Sequence, residues 1–164
     1  MITLRPFITQ DIPALLTILN DTDVVKYLST RIPFPYTQAD ALWWINQGSQ
    51  HGVIRAIDKD GELAGCIGVT PGEFEYQRNG EIGYWLAKAY WRQGFASLAI
   101  EKIIDITFAT TDIERIFATV FEANEASKQL LLKCGFAPEA VLGKAIYKNG
   151  VFYDSHIFAR FRPS

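Results

Sequence analysis

The stretch YWRQGFASLAIEKII, residues 90–104, joins a bare turn to a long apolar helix. Its spacing predicts a helix from about Gly94 to Ala109. Phe95, Leu98, Ala99, Ile100, Ile103, Ile104, Ile106 and Phe108 cover most of its circumference, leaving Ser97, Glu101 and Asp105 as one polar row beside Lys102. The first N–H groups of any helix lack intrahelical acceptors and carry a partial positive charge. A Ser, Thr, Asp or Asn cap and acids in the first turn normally answer them. Here the first acid is Glu101, Arg92 adds positive charge, and Gly94 and Ala96 leave the backbone nearly bare. The chemistry such an end suits is phosphate binding. A plain glycine turn whose amides are bound by water is the other reading of the same residues. The familiar phosphate loops are excluded, because neither GxGxxG nor GxxxxGK[ST] occurs in the chain.

Covalent and metal chemistry find little support. Cys66 lies in an apolar strand-like run and Cys134 on a helix, with no CxxC, so both read as buried reduced thiols. A cysteine nucleophile needs a histidine partner, and nothing in the sequence brings His51 or His156 to either cysteine. Two lone histidines without HxH or HxxxH spacing also give no zinc site, so no metal is expected.

The elements that must position the quoted helix can be read in order. ITLRPF alternates as a first strand, and TQDIPALLTILN is a helix for which Thr9 is the expected cap. RIPFPY is a proline-broken loop, after which Thr37 caps QADALWWINQGS. GVIRAIDKDGELAGCIGVTP is two strands around Asp60-Gly61, a type I′ hairpin signal. In the strand GEIGYWL, Glu81, Gly83 and Trp85 share one face and Ile82, Tyr84 and Leu86 the other. The quoted helix follows, then the strand IERIFATVFE, the helix NEASKQLLLKC closed by Gly135, and two strands joined at Asn149-Gly150. A strand–helix–strand unit between antiparallel hairpins predicts an α/β (α+β) fold. Its central sheet is mixed but mostly antiparallel, with about seven strands, and is flanked by about four helices.

Composition sets the outer limits. With 164 residues and no repeat or linker, the chain is expected to form one domain over residues 1–164. A net charge of −2 argues against a general nucleic-acid binder. No apolar run approaches the roughly 20 residues of a membrane span. MITLRPFITQD lacks the pattern of an export signal, so a cytoplasmic setting is expected.

Taken together, GEIGYWLAKAYWRQGFASLAIEKII, NEASKQLLLKCGF, the LRPFITQDIPALLTIL opening and the closing YKNGVFYDSHIFARF resemble the GCN5-related N-acetyltransferase (GNAT) superfamily. Within it they resemble the branch of ribosomal-protein N-terminal acetyltransferases (RimJ/RimL-like). Trp91, where the wider superfamily often has Gln or Arg, is usual in that branch. The resemblance implies acetyl-CoA as the acyl donor. Its pyrophosphate would be held by the amides of Arg92, Gln93, Gly94, Phe95, Ala96 and Ser97. Its pantetheine would lie along free backbone groups of Tyr84, Trp85 and Leu86, and Asn124 would be both a helix cap and a cofactor contact.

Transfer to an amine asks for a base to deprotonate it, a donor for the developing oxyanion and an acid for the departing thiolate. A backbone N–H near Trp85 or Leu86 is the expected donor. Many superfamily members carry a Tyr seven residues after the Asn that opens the next helix, but this chain has Leu131 there. Ser127, which the branch shares, is the expected acid. Glu81, on the strand that meets the cofactor, is the first choice of base, with Glu73, Glu75, Asp154 and a water chain in reserve. The expected activity is direct acetyl transfer in a ternary complex to a primary amine. A protein or peptide N-terminus comes first and a small amine such as a polyamine second. A non-catalytic acyl-CoA-binding module is the rival reading.

Overall fold

The computed structural model describes residues 1–164. One sheet of seven strands organises them: β1 (Ile2–Arg5), β2 (Val53–Lys59), β3 (Glu62–Pro71), β4 (Asn79–Leu86), β5 (Arg115–Phe121), β6 (Ala137–Lys148) and β7 (Val151–Phe161). The spatial order is β1-β2-β3-β4-β5-β7-β6, antiparallel throughout except where β4 runs parallel to β5. The helices are α1 (Ile12–Leu19), α2 (Thr22–Val25), α3 (Gln38–Asn46), α4 (Phe95–Thr110) and α5 (Glu125–Lys133).

Period-2 alternation along the strands feeds two cores, one on each face of the sheet. Ile57, Ala64, Ile67, Val69 and Ile82 pack against Ile100, Ile103 and Ile104 of α4 and Leu131 of α5. Ile54, Ala56, Leu63, Cys66 and Trp85 pack against Leu15 and Leu19 of α1 and Ala41 and Ile45 of α3. The long helix buries one face through Ala99, Ile100, Ile103, Ile104 and Thr107 and leaves Leu98 exposed, which is narrower than the burial over most of its circumference that its apolar residues suggest.

Both expected tight turns form. Asp60 and Gly61 have φ of 54° and 89°, and Asn149 and Gly150 have φ of 51° and 79°, the left-handed pair that a type I′ hairpin needs. Thr37 caps α3 and exchanges hydrogen bonds with Asp40. Two local expectations are corrected. Thr9 does not cap the first helix: residues Thr9–Asp11 form a 3-10 turn, Asp11 stands at the cap of α1, and its carboxylate accepts from Ile8 N at 2.9 Å. The segment after α1 also holds the additional short helix α2, because the Asp21 carboxylate accepts from Asp23 N at 2.9 Å and caps it.

Candidate active site

The site begins where the sheet comes apart. β4 pairs with β5 only through Asn79–Arg115, Gly80–Ile116 and Glu81–Phe117. Beyond Glu81 the strands separate. β4 stays with β3 as far as Leu86, and β5 stays with β7 over all seven of its residues. Ala87 N donates to Ala64 O at 2.8 Å, and Leu86 pairs with Gly65. By the alternation of an antiparallel ladder, Trp85 and Gly83 therefore turn their N–H groups to β3. Tyr84 and Leu86 turn theirs to the open edge. This narrows the strand amides that can meet a ligand to Tyr84 and Leu86, since the backbone of Trp85 is occupied by Cys66. The Leu86 carbonyl is taken by the Trp91 indole N–H at 2.9 Å, which pins the next loop to the end of the strand.

That loop is shaped by two left-handed residues, Arg92 (φ 61°) and Gly94 (φ 80°), the latter standing at the cap of α4. No side chain caps the helix, and no acid lies in its first turn. The first α4 amide with a backbone acceptor outside the helix is Leu98 N, to Gly94 O at 3.3 Å. The amides of Arg92, Gln93, Gly94, Phe95, Ala96 and Ser97 find no backbone partner. Ser97 Oγ donates to Gly94 O and the Gln93 amide to Ala89 O, so neither side chain turns back to answer them. A Cβ built on Gly94 would meet nothing within 4 Å, which leaves the approach to these amides open. Converging free N–H groups at a helix start form an anion site.

On the α4/α5 face of the opening, Asn124 caps α5 by accepting from Ser127 N at 3.2 Å. Ser127 Oγ lies 2.5 Å from Tyr84 Oη, across 43 positions of sequence. Leu131 is fully buried in the core below. Glu81 lies on the opposite face, where Thr119 Oγ1 donates to its Oε2 at 3.0 Å. This face forms a cleft of about 1220 Å³, lined by Glu81, Trp85, Arg115, Phe117 and Thr119 from the sheet. Leu28, Ser29, Arg31 and Ile32 wall one side, and Pro71, Gly72, Glu73, Glu75 and Tyr76 the other.

A family model described as an acetyltransferase (GNAT) domain matches residues 1–137. The chain belongs to the GNAT acetyltransferase family. The uncharacterized N-acetyltransferase YoaA of Bacillus subtilis (strain 168) is 35% identical over 167 residues, covering 98% of this chain and 93% of the relative. The ribosomal-protein-serine acetyltransferase of Escherichia coli (strain K12) is 31% identical over 108 residues, covering 66% of this chain and 60% of the relative. The microcin C7 self-immunity acetyltransferase MccE, solved with acetyl-CoA and AMP, superposes with a TM-score of 0.85 at 26% identity, covering 98% of this chain and 92% of that one.

This GNAT protein is therefore an acetyl-CoA-dependent N-acetyltransferase, and its residues fit the coenzyme. The amides of Arg92–Ser97 have no backbone partner, the space beside Gly94 is open, and the edge of Tyr84 and Leu86 is free of β5, a set of donors whose chemistry suits a diphosphate and an amide-bearing arm. The expected site residues of the GNAT chain are brought together around one opening, with Ser127 and Glu81 on opposite faces of β4. Of the reserve carboxylates, Glu73 and Glu75 line the cleft, whereas Asp154 does not. It sits in the β6–β7 hairpin, where its Oδ1 accepts from Lys144 N at 2.9 Å. The wall of Arg115, Phe117 and Thr119 was not anticipated. Its signal was the alternation of RIFATVF, which puts those three side chains on one face of β5. The sequence offers the backbone of Tyr84 to the site; the structure adds the contact of its hydroxyl with Ser127.

Proposed function

We propose that the acceptor is the α-amino group of a protein or peptide, acetylated by direct transfer in a ternary complex. The cleft on the Glu81 face carries this reading. At about 1220 Å³ it exceeds the ~300–1,000 Å³ usual for small-ligand pockets, and its walls mix aromatic rings and the carboxylates of Glu73, Glu75 and Glu81 with the guanidinium groups of Arg31 and Arg115. A cationic amine on an extended chain suits that lining. The carboxylates of Glu73, Glu75 and Glu81 favour a polyamine as the second reading. The proposed unit is residues 1–164 as one domain, and the proposed setting is the cytoplasm, where two free cysteines stay reduced.

Acetyl-CoA supplies the activated acetyl thioester; the chain supplies position and charge. In this reading Arg92–Ser97 bind the diphosphate through their amides, and Tyr84 and Leu86 offer N–H groups to the arm and to the oxyanion that develops. Glu81, held by Thr119, takes the proton of the amine, and Ser127 serves the departing sulfur from the other face. The cysteines are unsuited to a covalent relay. Burial pushes both thiols above their ordinary range, so neither is a ready thiolate.

A panel of peptides with free N-termini and of polyamines, scored by acetyl mass gain and coenzyme release, tests the proposal. Acetylation of peptide α-amines supports it. Acetylation confined to polyamines replaces it with the second reading, and coenzyme binding without turnover of any amine favours a non-catalytic module.

A further inference from the structure

Tyr84 and Ser127 form the one hydrogen bond in the molecule that joins two side-chain hydroxyls. Their oxygens lie 2.5 Å apart, at the short end of the O–H···O range. Tyr84 projects from β4 into the α4/α5 face, where it is half-buried against the core, and Ser127 occupies the first turn of α5. Neither hydroxyl has another partner within the protein. The backbone under Ser127 is fixed in turn by the Asn124 cap. Leu131, seven residues after Asn124, is fully buried in the core and offers no hydroxyl.

We propose that the Tyr84 hydroxyl is a positioning group that donates to Ser127 Oγ and so aims the Ser127 O–H into the opening between β4 and β5, toward the departing sulfur. This rests on the role of Ser127 proposed above. A phenol is far more acidic than an aliphatic alcohol, so in the pair the phenol is the better donor. With one lone pair of Oγ filled by Tyr84, the Ser127 proton is directed away from the ring. Hydrogen bonds in such a chain also polarise one another, so Ser127 becomes a stronger donor than a solvated serine.

Tyr84 does not itself surrender a proton. Burial pushes its hydroxyl up to about 12, whereas an ordinary thiol titrates near ~8.5. A thiolate is therefore too weak a base to deprotonate it. In net terms the N–C bond forms and the C–S bond breaks, with the electron pair going to sulfur. The proton lost by the amine ends on sulfur or in solvent, and both hydroxyls finish as they began.

Tyr84→Phe isolates the hydroxyl, because the ring and its packing remain. It is expected to lower kcat about ten-fold, the scale of one hydrogen bond, with KM for acetyl-CoA within about two-fold. Ser127→Ala should cost at least as much, and the double variant should be no worse than Ser127→Ala alone, since the hydroxyls act in series. A second readout needs no acceptor. The thiol pKa of bound CoA, read from thiolate absorbance against a desulfo-CoA blank, should rise by about half a unit to one unit in both single variants. A Tyr84→Phe enzyme with wild-type kcat and wild-type thiol pKa, or strictly additive losses in the double variant, overturns the proposal. A shared thiol shift in a protein that acetylates no amine keeps the pair and overturns the transfer reading instead.

Discussion

At Gly94 the backbone sits at φ 80° with open space where a side chain would start, so the position is defined by what it admits rather than by what it packs against. A β-branched residue there is strained and covers the amides beside it. Gly94→Val is expected to abolish the thermal stabilisation by CoA, which for a ligand at a hundred times its Kd is worth about 2.7 kcal/mol. Melting curves with and without CoA check it, and a full shift in the folded variant would move the phosphate site elsewhere. Glu81 makes a different prediction, because its proposed partner titrates. Between about pH 6 and 10 an α-amine passes from mostly charged to mostly free. The deficit of Glu81→Gln should therefore shrink as pH rises. A deficit constant across pH would leave Glu81 a binding residue and pass the base role to water.

Among the elements, the β6–β7 hairpin bears on the cleft from a distance. Lys148 Nζ donates to the carbonyls of Val25 at 2.6 Å, Lys26 at 3.1 Å and Leu28 at 2.7 Å. It thus answers the C-terminal end of α2 and fixes the segment that supplies Leu28, Ser29, Arg31 and Ile32 to the cleft wall. Lys148→Met keeps the aliphatic stem and removes the donors. Denaturant titration should show a loss of about 1–3 kcal/mol. Steady-state kinetics should show the acceptor KM rising several-fold while the acetyl-CoA KM holds, because the proposed diphosphate site, residues 92–97, lies at the start of α4. Equal changes in both constants would mean that the hairpin acts on the whole opening rather than on its acceptor wall.

For the molecule as a whole, the first strand is tied down by a charge cluster rather than by apolar contact alone. Arg5 meets the nearly buried Asp11 carboxylate through Nη1 at 2.9 Å and Nη2 at 2.8 Å, and Asp58 through Nε at 2.7 Å. These contacts join β1, the start of α1 and β2. Arg5→Met strands a buried carboxylate and should destabilise the protein by about 3–5 kcal/mol. The pH dependence has a definite sign. Its hydrogen bond with Arg5 holds the Asp58 carboxyl below its ordinary value of 3.8. The stability it contributes is complete above that value and is lost as pH falls through the lower folded value. Removing Arg5 should therefore flatten the stability curve below about pH 4, as unfolding at a series of acidic pH values would show. An unchanged acid limb would exclude this cluster as its source.

Sequence alone determined what short-range physics controls. Asp60-Gly61 and Asn149-Gly150 need left-handed backbone, Thr37 and Asn124 offer cap oxygens three residues before the amides they serve, and the apolar positions from Phe95 to Phe108 require a helix with a buried face. The two faces of β4 also follow from alternation, with Glu81 and Trp85 on one and Tyr84 and Leu86 on the other. Even locally the signal had limits. Thr9 looked like a cap, but the carboxylate of Asp11, drawn in by Arg5, took the amide of Ile8 instead. What only the tertiary structure decided are relations between distant segments. The departure of β5 from β4 after Glu81, Tyr84 against Ser127, Thr119 against Glu81, and the commitment of Asp154 to Lys144 all depend on register and packing. Periodicity tells a residue which face it occupies. Which residue it faces there is set by how the strands and helices pack in three dimensions, and no local pattern carries that.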